Sequence, residues 1–171
     1  IRRRQRQMCI RDRPTTSDFS AGFYDWSIFL TNFYLRIKQV LKIDYDSFMI
    51  LQITVGYYLN AINKSGFNSI DELSFRFEEI VNEKTKKNSR LTVTSISSAL
   101  DMPRETTKRK INSLIKKQFL SMNANKSIIL GPNYQKIFEL FALETTHDLG
   151  KLITRWDNKS YLNRLMGLIK K

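Results

Sequence analysis

Between Arg104 and Asn112 the sequence sets out five side chains suited to meeting the edges of base pairs: Arg104, Glu105, Lys108, Arg109 and Asn112. An arginine can donate two parallel hydrogen bonds to O6 and N7 of a guanine, and a glutamate can accept from a cytosine amino group. Each bidentate contact of that kind discriminates by about 1–3 kcal/mol. At helical periodicity the five positions share one side, while Thr107, Ile111, Leu114 and Ile115 form a stripe along the other. The stretch "DMPRETTKRKINSLIKKQFL", residues 101–120, holds six cations in all. One face of this helix would be buried and the other strongly positive.

Such a helix needs a scaffold, and residues 91–131 supply one. Thr92 is a good N-cap, and Ile96 with Leu100 marks the buried edge of a short helix in which Ser97 and Ala99 allow close approach. Pro103 disfavours helical geometry at Met102 and suits the start of the next helix, so "DMP" reads as a turn. Two short helices across a tight turn, the second cationic at its N-terminal end, fit a helix-turn-helix that offers that end to the major groove. After it, "FLSM" and "SIIL" are β-prone runs separated by "NANK", which predicts a hairpin ended by Gly131 and Pro132. Asn123, Asn125 and Lys126 at its tip would reach a neighbouring phosphate.

These residues carry a family resemblance. The stretch resembles the winged helix-turn-helix of Crp/Fnr-type regulators and, less closely, of MarR-type regulators. It matches their pattern without a gap at Thr92, Ile96, Leu100, Arg104, Glu105, Thr106, Arg109, Ile111, Leu114 and Leu120, over about a quarter of the chain. The resemblance implies that Arg104, Glu105 and Arg109 meet base edges and nearby phosphates, and that Thr92 and Thr94 lie near phosphate. Three positions depart from the pattern. Asp101 replaces the turn glycine, and Asp tolerates left-handed geometry better than most residues. Pro103 replaces a capping serine, and Lys110 stands where an apolar or small residue is usual, with its ammonium free to snorkel. Nothing before residue 91 resembles the nucleotide-binding β-barrel of Crp-like proteins. Helices on both sides of the unit resemble more the MarR arrangement, in which terminal helices build a dimer.

The charge distribution supports the same reading. The chain of 171 residues has a formal charge of +13, which suggests an anionic partner. Residues 84–126 hold eleven Lys or Arg against Asp101 and Glu105, whereas the rest of 14–171 balances twelve basic against thirteen acidic residues. Lys84, Lys86, Lys87, Lys116, Lys117 and Lys126 would add sequence-independent attraction by counterion release. The basic N-terminal run is a separate matter. Residues 3–13, "RRQRQMCIRDR", resemble the in-frame translation of a sequencing adapter, so residues 1–16 are expected to be a disordered tail of artefactual origin. Setting aside residues 1–13 lowers the charge to +8 and removes Cys9, the single cysteine.

Flanking this unit, apolar spacing predicts helices over Asp25–Lys42, Asp46–Asn63 and, behind a capping box at Ser69 and Glu72, a third through Ile80. The basic run at 83–90 reads as a solvated loop. Fourteen of the twenty aromatic residues lie between Phe19 and Phe77, which leaves both a large core and a dimer seam open. Three further helices are expected over Tyr134–Leu143, His147–Trp156 and Ser160–Ile169.

Other chemistry finds little to work with. His147 is the single histidine and is expected at the surface, so zinc and histidine-based triads lack ligands. The neighbouring carboxylates Asp71 and Glu72, or Glu78 and Glu79, diverge on a helix and do not form an acid and base pair. No glycine-rich phosphate loop is present and no apolar run reaches the roughly 20 residues of a membrane span. The expected fold class is mainly α: a winged helix-turn-helix over 84–132 with a short β-hairpin wing, flanked by an N-terminal helical region over 17–83 and C-terminal helices over 133–171. The expected function is a sequence-specific double-stranded-DNA-binding transcriptional regulator, cytoplasmic, without enzymatic activity, cofactor, metal or membrane, and homodimeric through its flanking helices. A plasmid or phage replication initiator and a winged-helix protein-interaction module are the alternatives.

Overall fold

The computed structural model describes residues 16–63, 66, 72 and 91–169. The tail expected before residue 16, the basic loop at 83–90 and the third helix, except for helical Glu72, lie outside the described residues. What is described is mainly helical with one small antiparallel sheet. Contacts gather it into two compact units, residues 16–33 with 145–169, and residues 34–144.

The first unit pairs the opening helix α1 (Thr16–Arg36) with the later part of the long helix α5 (Pro132–Asn158) and with α6 (Tyr161–Ile169). Helix α1 begins well before the expected Asp25. Gly22, a poor helix former, is where the Tyr161 ring lies, so close that a Cβ there would fall 2.3 Å from it. Packing outweighs propensity at this point. Trp156 stands between Trp26 and Tyr161, with ring centroids 6.2 and 5.3 Å away, and Leu152 is fully buried. Asp25 is buried beside them, where Lys159 Nζ donates to it at 3.0 Å. The break expected between residues 143 and 147 is absent, because α5 is continuous. Glu-Thr-Thr at 144–146 carries no glycine or proline, and nothing there removes a backbone donor.

The second unit is built around α2 (Tyr45–Asn63), whose Phe48, Ile50, Leu51, Val55, Tyr58 and Ile62 are buried. Ahead of α2, α1 runs into a π-helical turn, Ile37–Leu41, which stops at Lys42 in left-handed geometry (φ 52°). Against α2 pack α3 (Val93–Leu100), α4 (Arg104–Lys116) and a hairpin of β1 (Leu120–Met122) and β2 (Ile128–Leu130). The hairpin pairs Leu120 with Leu130, Ser121 with Ile129 and Met122 with Ile128. Leu120, Ile128 and Leu130 face inward and are at most 1% exposed. The Tyr58 hydroxyl donates to the Ile128 carbonyl at 3.1 Å, and Ile128 N–H donates to the Leu91 carbonyl at 2.8 Å. Helix α2 and Leu91, the residue before the N-cap of α3, are thus both tied to β2. Sequence spacing had placed α2 in a separate helical region; its apolar face instead forms the core beneath α3, α4 and the hairpin.

Candidate nucleic-acid interface

Helix α3 starts on Thr92, whose hydroxyl accepts from Ser95 N–H at 3.2 Å while Ser95 Oγ accepts from Thr92 N–H at 2.9 Å. This reciprocal cap satisfies two backbone donors that a helix start otherwise leaves open. The helix ends at Asp101 in left-handed geometry (φ 50°, ψ 40°), the conformation a glycine would adopt most readily. Ser97 then closes the turn: its hydroxyl donates to the Met102 carbonyl at 2.6 Å, and its own carbonyl accepts from Met102 N–H at 3.0 Å. The small residue expected to permit close approach is also the latch of the turn. Pro103 follows as the N-cap of α4 and has no side chain that can accept from the first-turn N–H groups; its carbonyl accepts the first intrahelical bond, from Thr107 N–H, and a second bond from Thr107 Oγ1.

Helix α4 divides as its spacing demands. Thr107, Ile111 and Leu114 are at most 1% exposed, whereas Ile115 is only half-buried. Arg104, Glu105, Lys108, Arg109 and Asn112 are all exposed, and none of these side chains makes a hydrogen bond or ion pair among the described residues. Glu105, Lys108, Arg109 and Asn112, with Ser113 and Lys116, line one shallow open depression. Ser113 was not singled out from the sequence, although it stands four residues beyond Arg109, the interval that places side chains over one another on a helix.

Two cations of this stretch point elsewhere. Lys110 does not snorkel to water. Its ammonium donates to Asp44 Oδ2 at 2.8 Å and lies 3.1 Å from Asp46 Oδ2, with only 14% of the side chain exposed. Helical arithmetic accounts for this, since Lys110 stands about 170° round the axis from the middle of the stripe formed by Arg104, Glu105, Lys108, Arg109 and Asn112. Asp44 also caps α2 by accepting from Ser47 N–H at 2.8 Å. Partial burial works against its ionisation, but the hydrogen bonds from Lys110 and Ser47 and the Lys110 charge outweigh this and hold the carboxyl at about 2. In turn Asp44 foremost, and Asp46 with it, push Lys110 above the ordinary lysine value against the opposing effect of burial. Lys117, expected at a phosphate, donates its ammonium to the Lys42 carbonyl.

The remaining candidates are spread around this face. Thr92 is half-buried with its hydroxyl engaged in the cap, and Thr94 is exposed in the first turn of α3. Asn123 is spent on the hairpin tip rather than offered outward: its Oδ1 accepts from Asn125 N–H at 3.1 Å and from Ser127 N–H at 2.8 Å. Short polar side chains favour such local turns. Lys126 is exposed, with left-handed backbone (φ 58°). Behind the tip, Gly131 allows β2 to pass so close to α4's exit that a Cβ there would lie 2.3 Å from the Gln118 carbonyl oxygen. Lys84, Lys86 and Lys87 lie outside the described residues.

His147 is exposed on α5, and among the described residues no three His, Cys, Asp or Glu side chains gather as a metal site. No described helix is long and apolar enough to cross a membrane. Comparison with protein-family models, with curated proteins and with solved structures finds no match to this chain.

Proposed function

We propose that residues 91–131 with α2 form a winged helix-turn-helix that binds double-stranded DNA in a sequence-specific manner, as the reading head of a non-enzymatic transcriptional regulator. The observation that carries this is the split of α4: five polar and charged side chains stand exposed and uncommitted on one side, while the opposite side is sealed into the core. A cation presented for intramolecular packing would have a partner, as Lys110 and Lys117 do. Arg104, Lys108 and Arg109 have none among the described residues. In this reading Arg104 and Arg109 contact guanine edges, Glu105 a cytosine amino group, and Lys116 and Lys126 the flanking phosphates. Phosphate contacts from Thr94 and the Thr92 backbone complete the set.

Two copies on a two-fold site would double the contact area and match a palindromic sequence. Exposed apolar side chains on the flanking helices, among them Tyr24 and Ile28 on α1 and Leu149 and Ile153 on α5, favour self-association of this kind. The test is selection of binding sites from random duplex DNA, followed by anisotropy titrations of the selected site. Arg104→Ala with Arg109→Ala removes the preference for the selected site and leaves weak, salt-sensitive binding. An unchanged preference rejects the assignment.

A further inference from the structure

The first unit contains no part of α2, α3, α4 or the hairpin, yet the later turns of α5 within it carry a shallow open depression of about 700 Å³. Among the described residues His147, Gly150, Lys151, Thr154 and Arg155 line it, at the three- and four-residue intervals that share one helix face. All five are exposed, none is a large hydrophobic residue, and no acidic residue stands between Leu149 and Trp156. The two cations are only loosely claimed. Lys151 Nζ lies 3.9 Å from Asp148 and Arg155 Nη1 3.9 Å from Asp25, both beyond hydrogen-bonding distance, and Lys159 at 3.0 Å already meets the Asp25 charge. Arg155 Nε donates to the Lys151 carbonyl at 3.3 Å, which holds the guanidinium along the helix surface. The Thr154 hydroxyl is spent on the Gly150 carbonyl at 2.9 Å. At Gly150 a Cβ would meet nothing within 4 Å, so packing does not call for a glycine, and a glycine weakens the interior of a helix. What it does provide is room for a partner to approach the backbone beside the two cations.

We infer that this face of α5 is a second, sequence-independent contact for the phosphate backbone of double-stranded DNA, with Lys151 and Arg155 each neutralising one phosphate. That the polyanion is DNA rests on the function proposed above; the residues are separate from those of α4. The kind of partner follows from the lining. A second copy of the chain would bring the same cations against this face. A lipid surface takes up inserted apolar side chains, and a protein interface is built round an apolar or aromatic centre, neither of which these five residues offer. Contacts with nucleic acid are instead polar and strongly positive. Spacing agrees with this choice. Lys151 and Arg155 stand four residues apart, about 6 Å along the helix axis, close to the through-space separation of neighbouring phosphates on one strand.

The experiment uses the full chain and a fluorescent random-sequence duplex several helical turns long, titrated by anisotropy over a series of salt concentrations. Lys151→Gln lowers the log-log salt slope by about 0.9, and Lys151→Gln combined with Arg155→Gln lowers it by about 1.8. At about 0.1 M salt the double variant binds roughly fivefold or more weakly than the wild type. Gly150→Glu sets a carboxylate beside both cations at a position open to solvent. Because Glu is a better helix former than Gly, that variant keeps its melting temperature while losing duplex affinity by roughly the same factor. Preference for a selected site over the random duplex stays the same in every variant, because this contact reads no bases. An unchanged slope and affinity in Lys151→Gln and Gly150→Glu overturns the contact, and so does a lost site preference with random-duplex binding intact. A wild-type chain that binds no duplex at any salt concentration overturns the DNA-binding reading as well, so the two failures are distinguishable.

Discussion

Replacing Lys110 by glutamine tests whether this cation belongs to the fold or to the DNA-facing surface. The wild-type ammonium lies 2.8 Å from Asp44 and 3.1 Å from Asp46, and those carboxylate side chains are 62% and 52% exposed. Exposed ion pairs contribute about 0.2–1 kcal/mol each. Two of them on a lysine that is itself only 14% exposed give about 1–2 kcal/mol for the cluster, because the variant also leaves two acidic groups without their counter-charge. The expected result is a melting temperature lowered by roughly 3–8 °C, followed by circular dichroism. A double-mutant cycle with Asp44→Asn, which keeps a good helix cap, should return a coupling of about 0.5–1.5 kcal/mol. Salt dependence of duplex binding gives the sharper discrimination. A lysine that neutralises a phosphate contributes about 0.9 to the log-log slope, whereas a lysine held by Asp44 contributes nothing. Lys110→Gln with an unaltered melt and a slope reduced by about 0.9 would refute the assignment.

The acid limb of stability offers a second test. Because Asp44 is held at about 2 in the folded chain against an ordinary 3.8, its contribution is fully present above about pH 5 and is lost as pH falls towards 2. With 62% of the side chain exposed, solvent screening reduces that contribution to about 0.5–1 kcal/mol, and Asp44→Asn should flatten the acid-induced loss by this amount in pH-dependent denaturant melts. Lys110 has the opposite sign: its raised pKa gives stability that is complete below the unfolded value and disappears as alkaline pH passes the folded one. Tyr58→Phe removes the donor to the Ile128 carbonyl and should lower the urea midpoint by the equivalent of about 1–2 kcal/mol at constant slope; an unchanged midpoint would mean that α2 and the hairpin are held by packing alone. Gly131→Ala drives a methyl into the Gln118 carbonyl and should cost about 1–3 kcal/mol or more by the same assay, while a neutral outcome would show that β2 can shift without penalty.

Local rules carried much of this protein. Thr92 as a cap, the left-handed tolerance of Asp101, Pro103 at the start of α4, the turn at 123–126 and the alternation of buried and exposed positions along α4 all depend on interactions within about four residues, so spacing alone reveals them. The outward set Arg104, Glu105, Lys108, Arg109 and Asn112 follows from the same periodicity. Contacts between residues distant in the chain had no such signature. Lys110 meets Asp44 across 66 positions and Tyr58 meets Ile128 across 70, and neither pair shows in any local pattern. The continuity of α5, the start of α1 under the Tyr161 ring and the use of Asn123 inside its own turn were likewise settled by which backbone groups and surfaces found partners. Sequence by itself therefore determined which side chains α4 can present, because a helix repeats every few residues. Only the tertiary structure decided which cations remain available for a partner, because an ammonium is claimed by whatever carboxylate or carbonyl the fold brings within about 3 Å of it.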